Sequence, residues 1–196
     1  MAKLAVDVVL LPPEEIMEKA IKLNKKLLKG FDAKIVLNKK KCLPHISLAM
    51  GCIEEEKIPK IQGILKELAD NFLPIELEVI GISASETTPV FGITKTKKLQ
   101  NLHESVMEKM APYVNYNPKK EMFFTPKEIE NPPTLDYVRN FKEKSSFENF
   151  SPHITIGYGK LDNAKIEQIK STANTLAVCQ LGNYCTCRKV LIEVII

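Results

Sequence analysis

Two of the three histidines in this chain, His45 and His153, lie in one short motif that occurs twice. The copies read Pro-His-Ile-Ser-Leu and Pro-His-Ile-Thr-Ile, and their histidines are 108 residues apart. Side chains two positions apart in an extended strand point to the same face, so Ser47 should lie beside His45, and Thr155 beside His153. Two such strands meeting across a cleft would present two imidazoles and two hydroxyls to one ligand.

That set of groups suits acid–base chemistry on a phosphoester. Cleavage of a P–O bond needs one group to take a proton from the nucleophile and another to protonate the leaving oxygen. Imidazole, whose ordinary pKa is about 6.5, can serve either purpose at neutral pH. The hydroxyls of Ser47 and Thr155 can donate hydrogen bonds to the non-bridging oxygens, where charge builds up in the transition state. Which histidine is the acid and which is the base stays open.

The motif residues alone do not make a metal site. Two histidines with hydroxyl companions lack the further carboxylate, His or Cys ligands that complete a coordination sphere. One Cys-x-Cys near the end of the chain has no second pair, and an odd number of cysteines favours reduced thiols over disulfides. We therefore expect no metal and no cofactor, and we expect the cysteines to be packing or surface thiols: Cys42, Cys52, Cys179, Cys185 and Cys187.

The third histidine, His103, falls on or beside the apolar stripe of a predicted helix, between Leu99 and Val106. A histidine in this place is typical of the edge of a core, where a local hydrogen bond satisfies its ring. We expect His103 to contribute to stability rather than to chemistry.

The duplicated motif and its context resemble the 2H phosphoesterase superfamily, which includes the 2′-5′ RNA ligase-like proteins and the RNA 2′,3′-cyclic phosphodiesterases. The opening strand 4–11 with its two following prolines and the segment 43–51 are similar to the RNA ligase-like branch. Ser47 stands where Thr is commoner in the family, and Ile156 where Leu is common. The resemblance implies an α+β fold with two pseudo-symmetric antiparallel sheet lobes, outer helices and a central cleft. It also implies His45, His153, Ser47 and Thr155 as catalytic residues.

The repeat extends past the motif in the sequence. At the same offset of 108 residues, Gly51 matches Gly159, and two isoleucines, Ile58 and Ile61, match later isoleucines. This predicts that each motif strand runs to a glycine and a turn and then into a helix. We expect residues 1–196 to form a single domain of two lobes.

Hydrophobic periodicity places the remaining elements. A segment at about residues 115–150 breaks the pattern, and we expect an irregular insertion or lid near the mouth of the cleft. The predicted helices are 12–28, 58–72, 99–110 and about 164–172, and the predicted strands are 5–11, 34–37, 45–53, 75–84 and 90–95, with a final hairpin from 176–178 and 190–196.

Three further residues are candidates for binding the substrate. Lys41 ends a run of three lysines just before the first motif and could attract phosphate, although such a run is more often a solvated turn. Within the insertion, Phe124 could stack on a base and Arg139 could meet a phosphate. The alternative is that the aromatic residues of the insertion pack into a small core of their own.

Composition agrees with an ordinary globular enzyme, with 44% hydrophobic and 27% charged residues. The formal net charge of +4 permits an anionic substrate but lacks the steep clustering of an extended nucleic-acid surface. No apolar run is long enough to cross a bilayer, and the N-terminus does not resemble a signal peptide. We expect a cytoplasmic monomer that does not bind membranes.

The sequence leads to a metal-independent phosphodiesterase that acts on 2′,3′-cyclic or 2′-5′ bonds of RNA ends or oligonucleotides, with reverse ligation as a further activity. One alternative keeps the chemistry but changes the substrate to a small cyclic or 2′-5′-linked nucleotide signal. A second alternative is a non-catalytic protein that binds RNA or nucleotides.

Overall fold

Two antiparallel β-sheets of four strands each form the framework in a computed structural model, which describes residues 2–30, 34–83, 87–129, 132–161 and 166–196. In this part of the chain the strands are β1 (Lys3–Leu11), β2 (Ile46–Glu54), β3 (Ile75–Ser83), β4 (Val90–Ile93), β5 (His153–Thr155), β6 (Ile169–Ala173), β7 (Thr175–Leu181) and β8 (Cys187–Ile195). The α-helices are α1 (Glu14–Leu27), α2 (Ile58–Phe72), α3 (Lys97–Met110) and α4 (Pro133–Lys144).

Each motif strand is the outer strand of its own sheet. The first sheet has the order β2-β1-β7-β8, and the second has the order β5-β4-β3-β6. β2 begins directly after His45, β5 begins at His153, and the two strands contact each other. The predicted α+β architecture with two antiparallel sheets is confirmed.

Each α-helix buries an apolar face, and the buried face of α1 also includes a polar residue. This helix begins after Pro13, whose fixed φ suits the start of a helix. Its buried apolar residues are Ile16, Ala20 and Leu27, but the fourth buried residue is Asn24, while the apolar neighbour Leu23 is only half-buried. A polar side chain therefore replaces an apolar one at the centre of the buried face.

Asn24 is fully buried because its amide joins three separate backbone groups. Its Nδ2 donates to the carbonyl oxygens of Ile35 and Ile156, each at 2.9 Å. Its Oδ1 accepts from the backbone N–H of Leu37 at 2.9 Å. An added Cβ at Gly157 would lie 2.6 Å from Nδ2, so this close approach requires glycine there. The bond to Ile156 ties α1 to the residue directly after β5.

The predicted strand at 34–37 is wrong. The segment forms no strand among the described residues, and its nearest ladder contact is the isolated bridge between Asn38 and Cys42. Backbone groups of Ile35 and Leu37 bond to the Asn24 side chain instead.

The predicted helix at about 164–172 is also wrong. Residues 162–165 lie outside the described part of the chain, and Ile169 begins β6, where it pairs with Val79. Ile61, its counterpart at the 108-residue offset, lies in α2. Gly51 lies inside β2, where an added Cβ would be 2.2 Å from Val114 Cγ1, so it marks close packing rather than a turn. The repeat is therefore confined to the motif strands.

The segment 115–150 is more regular than predicted. It contains α4 and three short 3₁₀ turns, and Leu135, Val138 and Phe141 form the buried face of α4. Ala84, the end of a predicted strand, and Glu86, in the turn expected between the predicted strands 75–84 and 90–95, lie outside the described residues.

Within the described ranges, we find no helix that is both long and apolar enough to cross a membrane.

We predict that Asn24→Ala lowers the free energy of unfolding by about 2–4 kcal/mol, since it leaves three buried backbone groups without partners. Asn24→Asp should be no better, because a carboxylate cannot donate to two carbonyl oxygens. Urea unfolding measures both values. The matched control is the exposed neighbour Lys25→Ala, which should change stability by less than about 0.5 kcal/mol. Equal stability of Asn24→Ala and this control would contradict the bridging role.

Candidate active site

The four side chains of the two motifs line one cavity of about 280 Å³. His45 and Ser47 reach it from the start of β2, and His153 and Thr155 reach it from β5. The same cavity is walled by the segment before β2, by α4 and by the turn before β8, through Ile35, Leu37, Cys42, Leu43, Pro133, Thr134, Tyr137, Tyr184, Cys185 and Thr186.

A β-bulge in β2 helps to place Ser47. Val9 of β1 pairs with Ser47, whereas the preceding residue Val8 pairs with Ala49, so β2 carries one extra residue between them. Residues directly opposite each other in an antiparallel pair lie on the same face of the sheet. Ser47 and Met50 therefore both face the cavity, although they are three residues apart. Bulges frequently re-aim side chains beside functional sites.

Both motif histidines are oriented by the same local hydrogen bond. His45 Nδ1 lies 2.7 Å from the carbonyl oxygen of Leu43, two residues before it. His153 Nδ1 lies 2.8 Å from the carbonyl oxygen of Ser151, also two residues before it. A carbonyl oxygen can only accept, so each Nδ1 carries a hydrogen. Each Nε2 is then the ring nitrogen left for chemistry.

The burial of His45 decides its protonation state. Burial lowers the pKa of His45 to about 4, the bond to Leu43 opposes this shift, and the charge of nearby His153 adds to it. His45 is therefore neutral at neutral pH, with Nδ1 protonated and a lone pair on Nε2. In this form the ring is a proton acceptor.

Comparison with known proteins identifies the family. The sequence model of the 2′-5′ RNA ligase superfamily matches residues 38–181, which include both motifs. The chain belongs to this superfamily. The resemblance to 2H phosphoesterases noted from the sequence is thereby confirmed. No curated protein matches the sequence closely enough to add to this.

Solved structures agree with the fold. TT0787 of Thermus thermophilus is similar with a TM-score of 0.59 and 13% identity, over 98% of this chain and 97% of that chain. Escherichia coli LigT complexed with NADP+ is similar with a TM-score of 0.57 and 14% identity, over 99% of this chain and 98% of that chain. LigT complexed with 3′-AMP is similar with a TM-score of 0.56 and 14% identity, over 99% of this chain and 98% of that chain. At these identities the likeness establishes the fold alone.

Asp7 is a residue of the site that sequence reasoning missed. It lies in the middle of β1, is fully buried, and pairs with Met50 on one side and Cys179 on the other. Its Oδ2 accepts a hydrogen bond from Ser47 Oγ at 2.6 Å and lies 3.7 Å from His45 Nε2. A charged residue in the middle of the otherwise apolar stretch 4–11 was the signal that could have revealed it.

The two copies of the superfamily motif thus differ in their surroundings. In the described part of the chain, the Thr155 hydroxyl has no hydrogen-bond partner, whereas the Ser47 hydroxyl is bonded to Asp7. The predicted role of Ser47 as a donor to phosphate therefore needs its hydrogen to be released from Asp7.

A potential set of metal ligands lies at the same place. Ligand atoms of Asp7, His45 and Cys187 all lie within 4.8 Å of one another. Burial raises the pKa of the Cys187 thiol and disfavours the thiolate that would bind a metal. A metal here would also occupy His45 Nε2, the nitrogen that faces the cavity.

Three tyrosines contribute an aromatic wall to the cavity. Tyr137, Tyr158 and Tyr184 all line it, and the rings of Tyr158 and Tyr184 are 6.2 Å apart. Lys34 Nζ lies 4.4 Å from the centre of the Tyr158 ring. Tyr184 and Cys185 have positive φ values of 55° and 53°, a strained backbone that is common at functional sites. Of these three tyrosines, only Tyr137 lies in the insertion 115–150, which the sequence predicted to fold near the mouth of the cleft.

A second, smaller cavity of about 200 Å³ adjoins the first. Ser47, Tyr137 and His153 line both cavities. The rest of its wall comes from the end of α4 and the residues before β5, namely Phe141, Lys144, Ser145, Asn149, Phe150 and Ser151. Ser47 and His153 therefore sit between the tyrosine-lined compartment and a more polar one that contains Lys144.

The three predicted substrate-binding residues lie outside the lining of both cavities. Lys41 is exposed on a turn, where its backbone N–H donates to Asn38 Oδ1 at 2.6 Å. Arg139 is exposed on α4 and pairs with Asp136 one turn earlier. Phe124 packs under the guanidinium of Arg188, whose carbon is 5.6 Å from the ring centre. Each of the three has a local structural contact, and their role in binding substrate stays a prediction.

His103 lies in the core, as expected, but its bonds are long-range. The backbone N–H of Phe147 donates to Nε2 at 2.8 Å, and Nδ1 lies 2.8 Å from the carbonyl oxygen of Leu48 in β2. Its ring stacks on Phe150 at 3.9 Å. Ser105 lies two residues after His103, the same spacing as between His45 and Ser47. Side chains two apart in a helix do not share a face, so Ser105 does not lie beside the His103 ring. This histidine bridges β2 to the residues that precede β5.

We predict that His103→Gln lowers stability more than turnover and flattens the acid side of the stability profile. Burial lowers the pKa of His103 to about 4, so the unfolded chain binds an extra proton between about pH 6.5 and 4. Stability should fall with decreasing pH in that window, by up to about 1.4 kcal/mol per pH unit for this group. His103→Gln should remove that part of the slope, while the part due to His45 remains.

Urea unfolding at a series of pH values measures the slope. The matched control is Asn101→Gln, an exposed position on the same helix, which should leave the slope unchanged. An unchanged slope in His103→Gln would show that His103 does not titrate as its burial implies.

Proposed function

We propose that the protein is a metal-independent phosphodiesterase that acts on 2′,3′-cyclic or 2′-5′ phosphodiester bonds of RNA ends or oligonucleotides. The observation that supports this best is the pair of histidines at one cavity, each with Nδ1 tied to a carbonyl oxygen and Nε2 left for proton transfer. Membership of the 2′-5′ RNA ligase superfamily supports the same reaction class.

The environment of His45 favours a role for it in hydrolysis, and the complementary role falls to His153. Neutral His45 takes a proton from the attacking water through Nε2, and His153 gives a proton to the leaving ribose oxygen. As the P–O bond to the leaving oxygen breaks, the Thr155 hydroxyl donates to a non-bridging oxygen. Ligation uses the same groups: a ribose hydroxyl takes the place of water and attacks the 2′,3′-cyclic phosphate, His45 accepts its proton, and His153 protonates the ribose oxygen that leaves the ring.

The aromatic wall supports a nucleotide substrate. A base can stack on Tyr158 or Tyr184, a contact worth about 1–3 kcal/mol and tolerant of base identity. A cavity of about 280 Å³ suits one nucleoside better than an extended strand. LigT, which has the same fold, has been solved with NADP+ and with 3′-AMP.

The second cavity favours a substrate that continues past the reacting phosphate. A phosphoryl group between Ser47 and His153 would face the aromatic compartment on one side and the polar compartment with Lys144 on the other. A 2′-5′ diester has a nucleoside on each side of its phosphate, whereas a 2′,3′-cyclic mononucleotide has one. A small signalling nucleotide with two nucleosides, such as a cyclic dinucleotide, would meet the same geometry and is the second candidate.

A substrate panel with EDTA present tests this function. The panel contains 2′-5′ dinucleotides, 2′,3′-cyclic nucleotides, 3′-5′ dinucleotides and cyclic dinucleotides, and chromatography separates the products. We expect more turnover of the first two classes than of the last two. Turnover should be unchanged by EDTA, because both proton transfers use side chains. Activity that is lost in EDTA and restored by a divalent cation would overturn the metal-independent mechanism. Nucleotide binding without turnover of any member would favour the non-catalytic alternative.

We predict that His45→Ala and His153→Ala each lower kcat by at least about 10³-fold, since each removes one half of a coupled proton transfer. The double variant should be scarcely slower than either single variant, because groups that act as a unit are not additive. Steady-state kinetics on the best substrate of the panel measures all three. The matched control is His103→Gln, which removes the histidine outside the cavity. Additive losses would indicate two independent sites.

A further inference from the structure

The carboxyl group of Asp7 lies at the centre of the site but has few partners. Its side chain is fully buried, and Oδ2 accepts one hydrogen bond, from Ser47. Oδ1 has no hydrogen-bond partner in the described part of the chain. An ionised carboxylate has about four acceptor positions, and burying its charge is costly unless hydrogen bonds or a cation compensate. One hydrogen bond is poor compensation for a full negative charge.

The groups around Asp7 do not supply a positive charge. Among the described residues, the one possible cation within ion-pair distance is His45, which its own burial keeps neutral at neutral pH. The neighbouring thiols and phenol bring no positive charge at any pH, because these groups are neutral when they carry their hydrogen. The titratable groups that face Asp7 are His45, Tyr137, Cys179, Cys185 and Cys187.

The hydrogen of Ser47 links this carboxyl to the cavity. A hydroxyl has one hydrogen to donate, so Ser47 cannot donate to Asp7 and to a ligand at once. A carboxylic acid can instead donate its own hydrogen to Ser47 Oγ across the same 2.6 Å. Only the hydrogens need to rotate, while the heavy atoms stay in place.

We propose that Asp7 is a positioning residue that works as a neutral carboxylic acid, donating from Oδ2 to Ser47 Oγ and thereby directing the Ser47 hydrogen to a phosphoryl oxygen in the cavity. Burial also raises the pKa of Asp7 well above its ordinary value, in agreement with the neutral form. The catalytic part of this inference rests on the proposed phosphodiesterase function, whereas the protonation state of Asp7 does not.

Asp7→Asn is the decisive variant, because an amide can donate to Ser47 Oγ as the neutral acid does but can never ionise. We expect Asp7→Asn to keep about the wild-type kcat. Asp7→Ala, which removes the donor, should lower kcat by about 10- to 100-fold with little change in KM, since a slightly misplaced group can cost up to about 10²-fold. If Asp7→Asn is as slow as Asp7→Ala while both remain folded by circular dichroism, an ionised carboxylate is required and the inference is wrong.

Infrared spectroscopy tests the protonation state without any substrate. The wild-type protein at neutral pH should show the C=O stretching band of a protonated carboxyl, and Asp7→Asn should lack it. Ser47→Ala should shift the band, because the hydrogen-bond partner of the acid is gone. Asp70→Asn, at an exposed position on α2, is the matched control and should leave the band unchanged. Absence of the band in the wild type would overturn the inference even if the enzyme cleaves phosphodiesters.

The two proposals can therefore fail separately. A protonated Asp7 in a protein that cleaves no phosphodiester would contradict the proposed function and leave the neutral acid established. If the wild-type protein cleaves phosphodiesters efficiently but lacks the band, and Asp7→Asn is inactive, the proposed function stands. The positioning role of a neutral Asp7 is then wrong.

Discussion

The cavity exists because two strands from different sheets are held at a fixed distance without pairing with each other. β2 and β5 are outer strands of separate sheets, so no ladder of strand hydrogen bonds sets their relative position. Buried polar side chains do this instead. Asn24 bonds to the carbonyl oxygen of Ile156 just after β5, and His103 bonds to Leu48 in β2 and to Phe147 ahead of β5. Such bonds are strong in a dry interior and specify one arrangement, since any other would leave buried groups unpaired.

Two nearly identical motifs acquire different properties within this frame. Both histidines have the same backbone bond at Nδ1, but the His45 side chain is largely buried and its Nε2 lies 3.7 Å from Asp7 Oδ2. Ser47 is bonded to the same carboxyl, whereas Thr155 has no carboxyl partner among the described residues. The two motifs therefore differ in environment rather than in residue type. The same is true of other sites in which one member of a titratable pair acts as the acid and the other as the base. In the proposed mechanism this asymmetry makes His45 the acceptor and His153 the donor of protons.

The sequence was sufficient for the features that depend on short-range pattern. The alternation in each motif predicted which side chains share a face, and the apolar spacing predicted α1, α2 and α3 closely. Features that depend on distant partners were not predictable. The segment 34–37 has the composition of a strand, but its backbone bonds go to the side chain of Asn24. Residues 169–172 have helical spacing, but the edge of β3 pairs with them as a strand. Asp7 and Asn24 were visible as polar residues on apolar faces, but their partners lie tens of residues away in sequence.

The position of the motif strands also affects how the molecule avoids self-association. An outer strand has unpaired backbone groups that can recruit a strand from another chain and start aggregation. β2 and β5 are outer strands, yet they turn toward each other, and α3 and α4 pack against β2. The other two outer strands, β6 and β8, carry exposed charged residues such as Lys170, Lys189 and Glu193, which discourage strand addition. The side chains of β2 and β5 must stay available to a ligand, so they cannot be replaced by protective charged residues. The cleft shelters these two sheet edges instead.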